Sequence, residues 1–144
     1  MNSNRKTARI LEDVKIDVRI KLAATWIAAM FGYIYGDILG FYIPGHIGKI
    51  MAGELPIGSQ VSVLAAAILM SIPGFMVFLS LTLKAKANRW VNIIMGIIHI
   101  VIMLGSFFIP PVTFNLFYIY LAIVEIGFNT LTIWYALKWP KQEA

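Results

Sequence analysis

Residues 91–137 read VNIIMGIIHIVIMLGSFFIPPVTFNLFYIYLAIVEIGFNTLTIWYAL. Two apolar runs, Val91 to Ile109 and Phe114 to Leu137, stand on either side of Pro110 and Pro111. Each matches the roughly 20 helical residues needed to cross a hydrocarbon core of about 30 Å. So short a connection makes the two helices pack antiparallel, side by side. Towards the N-terminus, Val61 to Leu83 and Leu22 to Tyr42 are two further runs of the same kind. The expected fold is all-α: a polytopic membrane protein built as an antiparallel four-helix transmembrane bundle, a single domain over residues 1–144 with 1–21 as a polar arm.

Composition points the same way. Of the 144 residues 60% are hydrophobic and 13% charged, with mean hydropathy +0.80, which leaves too little polar sequence for an extramembrane domain. The first span is read as retained rather than as a secretory signal, because it is too long, carries Asp37 and ends without a small-x-small cleavage site. With no cysteine there is no disulfide, thiolate metal site or iron–sulfur cluster.

The formal charge of +5 raises nucleic acid as a partner, and its distribution argues against it. Six basic residues are in the arm (Arg5, Lys6, Arg9, Lys15, Arg19, Lys21), three in the second connection (Lys84, Lys86, Arg89) and two in the tail (Lys138, Lys141). Of the 12, Lys49 alone is on the other side. The positive-inside rule then puts both termini in the cytoplasm, with the lipid bilayer as the partner. Trp26, Trp90, Trp134 and Trp139 fall near that same boundary, where an indole buries its body and hydrogen-bonds at the headgroups.

Between Thr7 and Leu22, the residues Ile10, Leu11, Val14, Val18 and Leu22 make a helical stripe, so a short amphipathic helix at the headgroups is expected; a frayed charged tail is the alternative. The outer connection carries Pro44, Gly45, Gly48, Gly53, Pro56 and Gly58, which break it into turns around one helical turn at Ile47 to Ala52.

Chemistry, if any, rests on the polar residues inside the spans. Asn92, Gly96, His99, Met103 and Ser106 follow 4-3-4-3 steps on the third span, and Tyr118, Ala122, Glu125, Asn129 and Thr132 do so on the fourth. These stripes are expected to face inward, since polar groups facing lipid are costly. His99 and Glu125 are each 13 residues from position 112, in the short turn joining the two spans, which brings them to one depth near the midplane where they can meet. A charge there costs about 2.5–3.5 kcal/mol on insertion scales, so Glu125 is expected to be protonated or paired. Asp37, beside Tyr33 on the first span, is nearer the outer surface, at the depth of Tyr118, Tyr120 and Ser106. The candidate proton- or ligand-binding residues are Glu125, His99, Asp37, Asn92, Asn129, Tyr33 and Tyr118. The other reading of the same residues is a buried polar clasp that fixes helix register.

Gly32, Gly36 and Gly40 form a ridge with steps of four along the first span, which lets two backbones approach closely within one bundle or between copies in a homo-oligomer. Pro73 and Gly74 are expected to kink the second span and free a carbonyl. No cofactor or metal is read: haem wants a second histidine at the depth of His99, but His46 is in the outer loop, and His99 with Glu125 falls short of a metal ligand set.

The stretches YIYGDILGFYIPG (33–45), AAILMSIPGFMVFLSLTLKAKANRWVNII (66–94) and VEIGFNTLTIWYALKWP (124–140) together resemble an uncharacterised family of small bacterial four-span membrane proteins, known as a domain of unknown function. The resemblance implies a cytoplasmic-membrane protein and carries no catalytic residue. Function is therefore read from the residues themselves: a small oligomeric, proton-linked transporter or channel in which Glu125 exchanges a proton. The alternative is a non-transporting accessory protein or a lipid- or lipophilic-ligand-binding one. An intramembrane enzyme using the carboxyl and imidazole as acid and base ranks third.

Overall fold

The computed structural model describes residues 13–54, 59–108 and 115–140, and all of its regular structure is helical. Four long helices, α1 (Val18–Phe41), α3 (Gln60–Thr82), α4 (Ala85–Ser106) and α5 (Leu116–Leu137), are each long and apolar enough to cross a membrane. The short α2 (His46–Met51) lies in the connection after α1. The chain is thus a membrane protein with four span-length helices.

Local chemistry sets the boundaries. Asp17 caps α1, its carboxylate accepting from the Arg19 N–H at 2.7 Å, so the helix starts a turn ahead of the apolar run. Residues 13–17 are not helical, and Val18–Leu22 is the first turn of the span itself. This corrects the separate amphipathic helix over Thr7–Leu22 for its second half; residues 7–12 lie outside the described residues, as do Pro110 and Pro111. Gly45 and Gly53, at φ of 77° and 70°, bracket α2, where a side chain would be strained, so the expected single turn forms between two left-handed glycines. Ser59 and Ser62 close a capping box at the start of α3. Only Leu83 and Lys84 join α3 to α4.

The start of α1, the end of α5 and the α3–α4 joint lie at one end of the bundle, the terminal end; α2 marks the loop end. α1 packs along α3 and α5, and α5 along α4, whereas α3 and α4 touch much less, chiefly where Ser80 meets Asn88 and Asn92. Gly96 permits the close α4–α5 approach: a Cβ there would sit 2.8 Å from Ile133 Cγ1.

Polarity is turned inside out. Phe75, Phe78 and Ile123 are each more than 60% exposed, while Asn88, Asn92, Asn129 and Thr132 are at most 1% exposed. Such an arrangement suits a hydrocarbon surround, in which apolar side chains cover the outside and polar groups must find partners within. At the terminal end Lys138 lies 4.5 Å from the centre of the exposed Trp134 ring, and Trp90 is also exposed. Trp26 departs from its expected headgroup position: it is wholly buried and hydrogen-bonded to Asn92, because the earlier start of α1 carries it two turns into the bundle.

Candidate functional site

Two kinds of polar interior meet along the bundle axis. In the terminal half every group of Asn92 is engaged. Its Oδ1 accepts from Trp26 Nε1 at 2.7 Å and Ser80 Oγ at 3.1 Å, and its Nδ2 donates to Asn88 O at 2.9 Å and Asn88 Oδ1 at 2.6 Å. Asn88 in turn donates to the Ser80 carbonyl at 2.6 Å. Beside this network Thr132 donates to Thr25, 2.7 Å away. The Asn92 network ties α1, α3 and α4, the Thr132–Thr25 bond adds α5, and no valence of the Asn92 amide is left over.

The middle of the bundle is different. His99 Nδ1 is 2.9 Å from the Tyr33 hydroxyl and its ring packs edge-on against Trp26, but Nε2 is buried without a partner. Glu125 is 2% exposed and its Oε2 also has no partner. Asn129 Nδ2 donates to the Glu125 main-chain carbonyl at 2.9 Å, leaving Oδ1 unengaged. The Tyr33 hydroxyl and His99 Nδ1 share one hydrogen bond whose donor is set by the imidazole tautomer. The meeting expected of His99 and Glu125 takes the form of a shared cavity wall, with Tyr33 holding the hydrogen bond to the imidazole.

That cavity, about 160 Å³, is lined by all four long helices. Tyr33, Asp37, His99, Ser106, Tyr118 and Glu125 supply its polar wall, and Leu69, Met70, Ile102 and Leu121 its apolar one. Ser106 and Tyr118 bond to each other at 3.0 Å. Asp37 is exposed on the loop-end side, four residues before the end of α1, while the terminal side is closed by the packed Trp26–Asn92 layer. Pro73, buried inside a continuous α3, has no N–H to give the Leu69 carbonyl, and Leu69 borders the cavity; Gly74 faces open space.

Five of the seven sequence candidates therefore line this cavity, Asn129 is bonded to the Glu125 main chain without lining it, and Asn92 belongs to the closed network. Thr25, Ser80 and Asn88 are absent from the sequence candidates. Asn88 extends the α4 stripe by one further step of four, a signal present in the sequence; Thr25 and Ser80 have none.

The glycine ridge divides as well. A Cβ on Gly32 would meet Glu125 Cγ at 2.7 Å and Oε1 at 2.9 Å; on Gly36 it would meet Leu121 at 3.8 Å, and on Gly40 nothing within 4 Å. Gly32 is the recess into which Glu125 folds. Gly32→Ala is expected to displace that side chain and lower stability by about 1–3 kcal/mol, while Gly40→Ala is neutral or stabilising by up to about 1 kcal/mol. Thermal melts of the two variants in one detergent check this; equal melting would show that the recess has no role.

A family model, described as a family of unknown function (DUF6326), matches residues 10–144, and the chain belongs to that family. No curated protein and no solved structure matches it.

Proposed function

We propose that this protein is a small proton-linked transporter or channel in which Glu125 is the proton-exchanging group. The observation that carries the reading is Glu125, buried, with its Oε2 unpartnered, on a cavity that the exposed Asp37 also lines. A carboxyl kept only to pin helices would be saturated, as the Asn92 amide is. Intramembrane ionisable groups commonly mark ion and proton pathways. Tyr33 and His99 continue the polar column inward from Asp37 and Glu125.

In this reading the Trp26–Asn92 layer is the closed gate of a protein open on one side, and passage requires that layer to part. Two or more copies, joined where the ridge is free at Gly40, would enlarge the path. A second reading, uptake of a lipophilic ligand without transport, is favoured by the apolar wall of Leu69, Met70 and Ile102.

The test is proton flux into liposomes carrying the purified protein, followed with an entrapped pH dye, beside Glu125→Gln reconstituted to the same density. Flux falling about tenfold or more, a barrier change of about 1.4 kcal/mol, is the expected result. Equal flux in the two overturns the proposal, and flux in neither favours ligand binding alone.

A further inference from the structure

We infer that the cavity takes a small amphiphilic organic cation, a monoamine with a compact apolar body, which competes with a proton for Glu125. The inference deepens the proton-linked reading and rests on it.

Charge decides the sign of the ligand. Asp37 and Glu125 line one cavity, and among the described residues neither Lys nor Arg lines it. An anion would meet two acidic groups and only an imidazole to receive it; an ammonium meets two carboxyls and the rings of Tyr33 and Tyr118, a residue type to which cations are attracted. The acidic groups do not stand alone as evidence. Glu125 and His99, 2% and 3% exposed, both line the cavity and each carries a buried polar atom without a partner, Oε2 and Nε2; an N–H donor reaching Glu125 would satisfy the carboxyl.

Size and shape narrow the class. An apolar cavity of about 150 Å³ takes up benzene, so about 160 Å³ admits a body of roughly six to eight non-hydrogen atoms. Leu69 and Met70 on α3 and Ile102 on α4 give that body an apolar seat, while the carboxyls come from α1 and α5. Among the described residues no three His, Asp or Glu side chains converge as a metal would require, which separates this site from one for a divalent ion.

Competition follows from the number of groups. The titratable neighbours of Glu125 on the cavity are Tyr33 and Asp37 from α1, His99 from α4 and Tyr118 from α5 itself; α3 contributes none. A cation bound at Glu125 excludes a proton from the same oxygens, so binding tightens as pH rises and releases a proton where the carboxyl held one.

The probe is benzylammonium, titrated calorimetrically into the full chain in lipid nanodiscs at several pH values, beside benzyl alcohol and benzenesulfonate. Benzylammonium is expected to bind about tenfold or more tightly than either, to tighten as pH rises, and to weaken by a similar factor in Glu125→Gln. Benzyl alcohol bound as tightly, or an unchanged affinity in Glu125→Gln, overturns the cation assignment. Should Glu125→Gln not fold, Asp37→Asn, on an exposed position, must weaken benzylammonium relative to benzyl alcohol, and no weakening overturns it equally. Repeating the titration in buffers of different ionisation enthalpy counts protons. Benzylammonium bound without proton release sinks the proton-linked reading and leaves the ligand class standing; proton flux without benzylammonium binding does the reverse.

Discussion

Replacing Asn92 by leucine is expected to destabilise the bundle by about 2–5 kcal/mol, the largest loss of any single polar substitution in it. Leucine keeps the heavy-atom count and branching but is bulkier, so some of the loss is overpacking and the rest comes from what is stranded. Trp26 Nε1 loses its acceptor inside a wholly buried ring, and Asn88 Oδ1 loses its donor in an equally buried amide. Ser80 can turn its hydroxyl elsewhere and contributes less. Interhelical hydrogen bonds in membranes average only about 0.6 kcal/mol, because a chain unfolded within lipid also finds partners. The estimate exceeds that average because two orphaned groups are created, each costing about 1–3 kcal/mol. Trp26→Phe is the internal comparison: it removes one donor while Asn92 Oδ1 keeps Ser80, so about 1 kcal/mol is expected. Unfolding in mixed micelles, followed by helix content, measures both. A loss below 1 kcal/mol for Asn92→Leu would mean that the network does not hold the terminal half together.

The contrast between Asn92 and Glu125 also shows how far the sequence reaches. Run length gives the four spans, and the 4-3 spacing gives the inward faces: Asn92, Gly96 and His99 on α4, with Ala122, Glu125, Asn129 and Thr132 on α5, are all buried. Depth is equally legible, since residues equidistant from a turn arrive at one level. What spacing leaves open is the rotation of one helix against another to within a rotamer, and that decides which atoms bond. Tyr33 reaches His99 because α1 lies between α3 and α5, a neighbour relation that connection lengths alone do not fix. Trp26 shows the same limit. Its distance from the chain's charged arm suggests a headgroup anchor, but Asp17 starts the helix early and the indole turns inward to Asn92. Gly32 looked like a packing residue and is one, though what it accommodates is the candidate carboxyl rather than a bare helix backbone.

Replacing Glu125 by methionine is expected to act in the opposite direction to Asn92→Leu, raising stability by about 1–3 kcal/mol while abolishing proton flux and amine binding. Methionine has a similar length and an adaptable chain, so it can lie in the recess over Gly32 without the branching that leucine would bring there. Nothing is stranded by the change. No side-chain hydrogen bond holds Oε2, His99 keeps Tyr33, and the Asn129 amide bonds to the main-chain carbonyl of residue 125, which any residue supplies. The carboxyl, by contrast, is costly in either form, as an unengaged O–H or as an ion whose insertion near the midplane costs about 2.5–3.5 kcal/mol. A group retained at that cost for fold alone would be selected against, since a half-satisfied buried network is worse than an apolar one. The same micelle unfolding assay, run on Asn92→Leu and Glu125→Met together, therefore separates clasp from site by sign. If Glu125→Met melts lower, as Asn92→Leu does, the carboxyl is a structural member of the polar core and the proton-exchange role assigned to it fails; if it melts higher with flux lost, stability has been exchanged for activity at one atom pair.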